Sequence, residues 1–159
     1  MSCIIRPATI ADLAVLTALE NRTFNHDKIS RRSLRNFLAT SKNLLLVAGD
    51  PVVAYGLILF RRGSSLGRVY SLTVAPEARG QGYARRLMLA LEEVAYQRGI
   101  VALRLEVAKS NPAAIQLYHS LGYQLIKSLP GYYQNGDEAL RMEKALAPDS
   151  HSSPGPLGL

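Results

Sequence analysis

The spacing of apolar residues changes several times along the chain, and each change predicts a new element. A short apolar run at residues 3–6 predicts a first strand. Leucines then recur at helical spacing within residues 13–19. They follow Thr9 and Asp12, whose three-residue separation is typical of a capped helix start. The chain therefore opens with a strand followed by an amphipathic helix.

A second helix is predicted to begin after Ser30, a residue type that favours the N-cap position. Its apolar positions 34, 37 and 38 fall on one stripe. Its arginines fall on another stripe: Arg31, Arg32 and Arg35. We interpret these arginines as a solvated face, with contact to an acidic peptide or to ribosomal RNA as the alternative.

Three apolar runs in the middle of the chain predict consecutive strands at residues 44–48, 52–61 and 68–74. The intervening segments, Gly49-Asp50-Pro51 and Gly63-Ser64-Ser65, have the composition of tight turns. The three runs are therefore expected to pair as antiparallel hairpins.

A long helix is predicted after the loop at residues 76–82, and Gly99 is a suitable residue to end it. Its expected inward face consists of apolar residues: Ala84, Leu87, Met88, Leu91, Val94 and Ala95. Its expected outward positions are polar: Arg85, Arg86, Glu92, Glu93 and Gln97. This amphipathic pattern predicts a helix that packs on the sheet.

The last third of the chain predicts one more helix between strands. A strand at residues 102–108 precedes a helix that Asn111 caps and Pro112 begins, where a missing N–H costs nothing. Two strands follow, at residues 123–128 and 138–146. The order β-α-α-β-β-β-α-β-α-β-β predicts an α/β (α+β) fold. About seven strands would form a mixed, mostly antiparallel sheet flanked by about four helices.

Composition limits the class of protein without choosing the function. The 159 residues suffice for one domain, and 48% apolar with 19% charged residues is ordinary globular usage. After Leu146 the chain is rich in Pro, Gly and Ser, so we predict a domain at 1–146 and a flexible tail at 147–159. The apolar runs are too short to cross a membrane, and the N-terminus does not resemble a signal peptide.

The net charge of +7 suits an anionic partner: nucleic acid, a membrane surface or a phosphate-bearing cofactor. Cys3 is the single cysteine, which excludes an internal disulfide and a cysteine-based zinc site. His26, His119 and His151 lack ligand spacing, so no metal is expected. A reducing cytoplasm is the expected compartment.

The segment V-A-P-E-A-R-G-Q-G-Y-A at residues 74–84 joins a strand to a helix. A glycine-rich loop at a helix N-terminus offers free N–H groups and the positive end of the helix dipole, so pyrophosphate is the natural ligand. A Walker A loop would need Gly-Lys-Ser/Thr, and a dinucleotide fingerprint would need glycine at Arg85. The sequence meets neither requirement, and the loop instead has the pattern R-x-x-G-x-A, at Arg79, Gly82 and Ala84. The alternative is an ordinary loop with glycines for tight turning.

A second segment, at residues 103–123, helps to assign a function to this glycine-rich loop. It reads L-R-L-E-V at residues 103–107, N-P-A-A-I-Q-L-Y at 111–118 and L-G-Y at 121–123. Together with R-x-x-G-x-A, in this order and at this separation, it resembles the GCN5-related N-acetyltransferase (GNAT) superfamily over essentially all of 1–146. The segments G-Y-Y at 131–133 and G-D-E-A-L-R-M at 136–142 are similar to RimI-type protein N-terminal acetyltransferases.

The resemblance implies acetyl-CoA as cosubstrate and a set of residues that bind it: Leu72, Thr73, Val74, Arg79, Gly80, Gln81, Gly82, Tyr83, Ala84, Arg85, Asn111 and Tyr118. It implies Glu106 as general base and Tyr118 as general acid beside the thiol. It further implies that Phe24, Tyr132 and Tyr133 contact the acceptor substrate.

The chemistry of acetyl transfer explains why these residue types are needed. The amine must be neutral, the oxyanion stabilised and the leaving thiolate protonated. An α-amine has a pKa near 8, so a modest base such as Glu106 acting through water suffices, whereas lysine is near 10.4. Tyr118 can donate a proton to the thiolate, and a backbone N–H around Thr73 or Val74 can hold the oxyanion. From the residues alone, Glu106 can equally be an outward carboxylate and Tyr118 a core residue.

We therefore predict an acetyl-CoA-dependent N-acetyltransferase that moves the acetyl group directly to a primary amine, the N-terminal α-amine of a protein or peptide. The alternatives are a small-molecule amine as acceptor and a non-catalytic acyl-CoA-binding module. A basic RNA-binding protein is a further alternative, but the clustered aromatic and basic motif of sheet-type RNA binders is missing. Direct contact with nucleic acid or membrane is not expected, and the protein would be a monomer or homodimer.

Overall fold

The computed structural model describes residues 4–24 and 27–147. The predictions for Cys3, His26, His151 and tail residues 148–159 lie outside the described residues. Within them the predicted order of elements is confirmed.

The described residues form one sheet with the strand order β1-β2-β3-β4-β5-β7-β6. The strands are β1 Ile5–Pro7, β2 Asn43–Ala48, β3 Ala54–Phe60, β4 Leu66–Val74, β5 Ala102–Ala108, β6 Gln124–Leu129 and β7 Ala139–Ala145. Neighbouring strands are antiparallel except β4 and β5, which are parallel. The predicted mixed, mostly antiparallel sheet is thus confirmed.

Four α-helices cover the two faces of the sheet in the described residues. They are α1 Leu13–Thr23, α2 Arg31–Leu38, α3 Tyr83–Gln97 and α4 Pro112–Ser120. Single 3-10 turns at Ile10–Asp12 and Pro76–Ala78 precede α1 and α3. No helix in the described ranges combines the length and apolarity needed to cross a membrane.

The helix starts are made by the side chains that the sequence predicts. Asp12 accepts a hydrogen bond from the Thr9 N–H at 2.8 Å, and its pKa is held below the usual range by the paired Arg6 guanidinium. Ser30 caps α2 by accepting from the Ser33 N–H at 3.1 Å. Asn111 caps α4 in the same way. These caps fix where each helix leaves its loop, which positions the loops around the site.

Some strand boundaries differ from the prediction. The strand predicted at residues 68–74 begins earlier, at Leu66, because Gly67 still pairs with its neighbours. A Cβ on Gly67 would lie 2.9 Å from a Leu103 methyl carbon, so only glycine allows this close approach. The strand predicted at residues 52–61 begins later, at Ala54, since residues 51–53 complete the turn.

The parallel pair β4–β5 separates part of the way along. The two strands pair from Leu66 with Ala102 to Val69 with Leu105, and the pairing then stops. In the β3–β4 register Tyr70 is skipped, which is a β-bulge, a feature that bends a strand. Leu72–Val74 therefore keeps its pairing to β3 while its other edge, within the described residues, faces an opening in the sheet.

Two apolar cores lie on opposite faces of the sheet. One packs α3 and α4 against alternate residues of β2–β5 and β7, including Leu87, Leu91 and Leu103. The other packs α1 and α2 against the remaining face, including Leu16, Leu34 and Leu57.

The prediction that Glu92 faces outward is wrong. Its side chain is fully buried in α3, where it accepts hydrogen bonds from Tyr123 Oη at 2.7 Å and Lys144 Nζ at 2.8 Å. Burial, together with Glu92, raises the pKa of the Tyr123 phenol. Glu92 follows Met88 by one helical turn, so it continues the apolar stripe, and its buried charge is matched by a cation.

Candidate functional site

The loop before α3 presents a row of backbone donors. Gly80 and Gly82 have φ angles of +77° and +86°, which glycine adopts without strain. The Arg86 N–H makes the first intrahelical hydrogen bond, to the Gly82 carbonyl at 3.1 Å. The N–H groups of the three preceding helical residues, 83–85, therefore have no intrahelical acceptor. They lie where the helix dipole favours an anion.

Two guanidinium groups add full charges beside these donors. Arg79 donates to the Val74 carbonyl at 3.3 Å, and Arg85 donates to Ser120 Oγ at 2.6 Å. Gln81 differs from the other loop positions, because its exposed side chain turns back to the Glu77 carbonyl at 3.3 Å. Its side chain does not reach the cleft that the others line.

This cleft has a volume of about 650 Å³ and lies between the end of β4, the loop and α4. It brings together the predicted cofactor positions other than Gln81: Leu72, Thr73, Val74, Arg79, Gly80, Gly82, Tyr83, Ala84, Arg85, Asn111 and Tyr118. The donor set consists of helix N-terminal amides, two arginines and an unpaired strand edge. It fits a ligand with a pyrophosphate and an amide-containing arm, as acetyl-CoA has.

A second cavity has a volume of about 340 Å³, and we name it the acceptor pocket because Phe24 and Tyr133, two of the predicted acceptor-side residues, line it. Its described walls include four carboxylates: Glu20, Asp27, Glu106 and Asp137. Five residues line both cavities: Phe24, Leu72, Asn111, Ala114 and Tyr118. The two cavities therefore meet at the opening between β4 and β5.

Tyr118 lies at this meeting point with its ring almost fully buried. The ring packs edge-on against Tyr123, with 5.9 Å between centroids. Burial, followed by the neighbouring Tyr133, raises the pKa of the Tyr118 phenol, so it stays protonated well above neutral pH. Within the described residues no group accepts a hydrogen bond from its hydroxyl. The hydroxyl is thus available to donate to a bound ligand.

Glu106 projects from β5 into the acceptor pocket, and its side chain is only 5% exposed. One carboxylate oxygen accepts from Arg68 at 2.9 Å and the other from Arg141 Nε at 2.8 Å. The alternating burial of β5 places it opposite the apolar side chains, as the sequence predicts. It is not a solvated outward carboxylate, because two arginines hold its charge within the fold.

The two predicted acceptor-side tyrosines occupy different positions. Tyr133 lines the acceptor pocket, and burial, then Tyr132 and Glu106, raises the pKa of its phenol to about 12. Tyr132 is 40% exposed and lies outside both cavities. Its hydroxyl accepts a hydrogen bond from Arg68 at 2.7 Å. Tyr132 therefore reaches the pocket through Arg68 and not directly.

The loops on either side of the acceptor pocket are hydrogen-bonded to each other. The Asp27 N–H donates to Gln134 Oε1 at 3.0 Å, and the Gln134 N–H donates to Asp27 Oδ2 at 3.1 Å. Phe24, at the end of α1, lines both cavities as predicted for an acceptor-side residue. Arg31, from the same region, is exposed and does not line either cavity.

Sequence reasoning missed Glu20, a buried carboxylate of α1 in the wall of the acceptor pocket. One oxygen accepts from Tyr55 Oη and from Thr73 Oγ1, the latter at 3.4 Å. The other accepts from the Ile29 N–H at 2.9 Å. Glu20 lies four residues after Leu16 on the helix, so a carboxylate inside the apolar stripe was the available signal. The described residues hold no cluster of His, Cys, Asp and Glu suited to a metal ion.

Comparison with known proteins identifies the family. Residues 12–146 match the family model described as "Acetyltransferase (GNAT) domain". An uncharacterised N-acetyltransferase of Methanocaldococcus jannaschii is 31% identical over 142 residues, covering 89% of this chain and 90% of the relative. The chain belongs to the GNAT acetyltransferase domain family.

Other relatives carry more specific names. N-alpha-acetyltransferase 20 of Dictyostelium discoideum is 43% identical over 86 residues, 52% of this chain and 49% of the relative. The chain thus aligns with about half the length of this relative. Ribosomal-protein-alanine N-acetyltransferase of Brucella melitensis is 28% identical, with a TM-score of 0.79 over 90% of this chain and 99% of the other. The ribosomal-protein-S18-alanine N-acetyltransferase of Escherichia coli, at 24% identity, shares the fold with a TM-score of 0.83 over 92% and 95%.

Proposed function

We propose that this protein transfers an acetyl group from acetyl-CoA to the N-terminal α-amine of a protein or peptide. The observation that carries the proposal is the position of Tyr118, which lines both the glycine-loop cleft and the acidic acceptor pocket. A proton donor at the junction of an anion-binding cleft and an amine-attracting pocket is what acetyl transfer requires. Family membership supports the same reaction.

The glycine-loop cleft would bind acetyl-CoA mainly through backbone groups. Gly80 and Gly82, with the first amides of α3, would hold the pyrophosphate of acetyl-CoA, and Arg79 and Arg85 would add charge. The free edge of Leu72–Val74 would pair with the amide-containing arm and place the thioester at the sheet opening. Asn111, which lines both cavities, would lie beside it.

The acceptor pocket would supply negative charge to the amine substrate. The carboxylates of the acceptor pocket attract an ammonium group, and Glu106 accepts its proton, directly or through water. Since an α-amine has a pKa near 8, a large part of it is already neutral at physiological pH. Tyr118, kept protonated by burial, donates to the thiolate that leaves, and a backbone N–H near Thr73 stabilises the oxyanion.

Several relatives support a peptide α-amine as acceptor, since they are named N-alpha-acetyltransferases or ribosomal-protein-alanine N-acetyltransferases. A small amine is the second candidate. It is favoured by the thialysine N-epsilon-acetyltransferase of Bos taurus, which is 36% identical over 97 residues. Tyr133 and Asp27 line the pocket, and the hydrogen bonds between Asp27 and Gln134 join its two flanking loops, which would suit the end of a peptide chain.

We further propose how the chain is organised and where the protein is located. We place the catalytic domain at residues 1–146, supported by the family match that ends at 146, and assign 147–159 to a tail. We assign the protein to the cytoplasm, where acceptor proteins and acetyl-CoA are both available, and expect a monomer or homodimer.

The test is mass spectrometry of a peptide panel incubated with acetyl-CoA. Each peptide would be supplied with a free N-terminus and, separately, with a blocked N-terminus and an internal lysine. Acetylation only of free N-termini, reduced by Tyr118→Phe, is the expected result. Acetylation of polyamines or amino acids instead would favour the second candidate. Acetyl-CoA binding with no product on any amine would contradict catalysis.

A further inference from the structure

A third cavity lies beside the acceptor pocket and has the opposite charge. We name it the arginine groove; it has a volume of about 550 Å³, and its charged walls are Arg61, Arg68, Arg104, Arg141 and Glu106. Arg104 and Glu106 are alternate residues of β5, so they project from the same side of the sheet. Arg68 and Arg141 reach the same place from the neighbouring strands β4 and β7.

Positive charge is in excess along this groove. Arg68 and Arg141 share the single carboxylate of Glu106, and Arg104 pairs with Glu143 at 2.9 Å. The exposed Arg61 makes no ion pair with any described residue. Four guanidinium groups therefore face two carboxylates, which leaves two positive charges uncompensated. Such a groove attracts anions.

The groove and the acceptor pocket adjoin at Glu106, which is a wall of both. On the pocket side the described charged residues are carboxylates, with no Lys or Arg among them. On the groove side arginines dominate. A ligand that passes over Glu106 therefore meets negative charge first and positive charge afterwards.

We propose that the protein selects acceptor chains whose first few residues include Asp or Glu. The N-terminal ammonium would lie in the acceptor pocket, and the acidic side chains would lie over Arg61 and Arg104. Arg104 is two residues from Glu106 along β5, about 7 Å at the usual rise of a strand. An extended acceptor covers that distance with about two residues, so positions 2–4 reach the groove. This inference rests on the proposed function and names its substrate class.

The experiment measures kcat and KM for matched peptides that share the first residue. Residues 2–4 are Asp or Glu in one set, Ser or Gln in a second and Lys or Arg in a third. We expect KM to be lowest for the acidic set by about tenfold relative to the neutral set, with a smaller change in kcat. Because exposed charges are screened, the difference should shrink as salt is raised from 50 to about 500 mM.

The variants ask whether the groove carries this preference. Arg61→Gln, at an exposed position, and the double variant Arg61→Gln/Arg104→Gln should raise KM for acidic peptides about three- and tenfold. KM for neutral peptides should not change. The matched control, Lys42→Gln/Lys127→Gln, removes two exposed charges from outside the groove. It should leave the preference intact.

The outcomes separate this inference from the proposed function. Acetylation of N-termini without an acidic preference would overturn the groove assignment while leaving the proposed activity standing. An acidic preference that survives loss of Arg61 and Arg104 would also overturn it, as would salt-sensitive RNA binding to the groove that competes with the acceptor. Absence of acetylation on every N-terminus would instead contradict the proposed function.

Discussion

The glycine-loop cleft and the acceptor pocket share Tyr118, but the first is formed mainly by backbone groups and the second mainly by side chains. The backbone donors of the cleft come from one continuous segment, residues 72–85, in which glycines leave the amides accessible, and α4 forms its other wall. The acceptor pocket depends on side chains from α1, β5 and the loop before β7, held by charge pairs between distant residues. A backbone site recognises an invariant ligand, whereas a side-chain site can be altered one residue at a time.

The largest effect is expected from Gly82→Asp, which tests the backbone character of the cleft. Its φ of +86° strains any L-residue, and the carboxylate would oppose a pyrophosphate. We expect affinity for acetyl-CoA, measured by calorimetry, to fall by about 100-fold or more. The matched control is Gly82→Ala, for which the added Cβ meets only the Arg86 side chain, at 4.0 Å. It should lose about tenfold through strain alone. Equal affinities for all three proteins would contradict the cleft assignment.

Tyr118→Phe tests the residue that lines both the cleft and the acceptor pocket. We expect kcat to fall by about 10²-fold while acetyl-CoA affinity stays within about threefold, because only the donated proton is lost. The pH profile gives a second test. Activity should rise with pH through the α-amine pKa near 8 and then remain level to about pH 10, since the raised pKa of Tyr118 keeps the phenol protonated. Near-normal turnover of the variant, or a fall in activity between pH 8 and 10, would remove Tyr118 from this role.

A matched pair of buried glutamates separates function from stability. Glu92→Gln leaves Lys144 without its anion in the core, so we expect the free energy of unfolding to fall by about 3 kcal/mol with kcat and KM unchanged. Glu20→Gln weakens the anchor of Ile29 beside the acceptor pocket, so KM for the peptide should rise about fivefold with KM for acetyl-CoA unchanged. Denaturant unfolding and steady-state kinetics on both variants check this. If the two variants change the free energy of unfolding and the peptide KM in the same way, Glu20 has no specific role in binding the acceptor.

The smallest effect is expected from Tyr132→Phe. The exposed ring stays, and only the hydroxyl that accepts from Arg68 is lost. We expect peptide KM to change by less than about fivefold, the scale of one exposed hydrogen bond. Tyr133→Phe, inside the pocket, serves as the comparison and should change it more. If Tyr132→Phe has the larger effect, the acceptor lies over the exposed face of that loop.

The difference between a backbone site and a side-chain site also explains how much of each could be predicted from the sequence. The cleft is local: glycine spacing, arginines and a helix start within 14 residues are visible without the fold. The family resemblance implies the cleft positions, and all of them line the cleft except Gln81, whose side chain turns back to a nearby carbonyl. Element order and the three caps could likewise be predicted, since caps and periodicity are local properties.

The acceptor side could be predicted only in part. Arg68, Glu106 and Arg141 lie on three strands and come together only through the sheet register. Glu20 and Glu92 break the apolar pattern of their helices, and a pattern alone assigns such a carboxylate to solvent. Their partners, Tyr55 and Lys144, are 35 and 52 residues away in sequence. Long-range pairing of this kind has no sequence signal of its own.

In the proposed reaction, the separation of β4 from β5 would let the two substrates meet at one opening in the sheet. The glycine-loop cleft takes its backbone donors from residues 79–85, whereas the acceptor pocket takes walls from the loop before β7. Substitutions in the loop before β7 can therefore accumulate without changing the backbone donors that face the other substrate. One ancestral scaffold of this kind can diversify into enzymes that differ in what they modify while keeping the same donor.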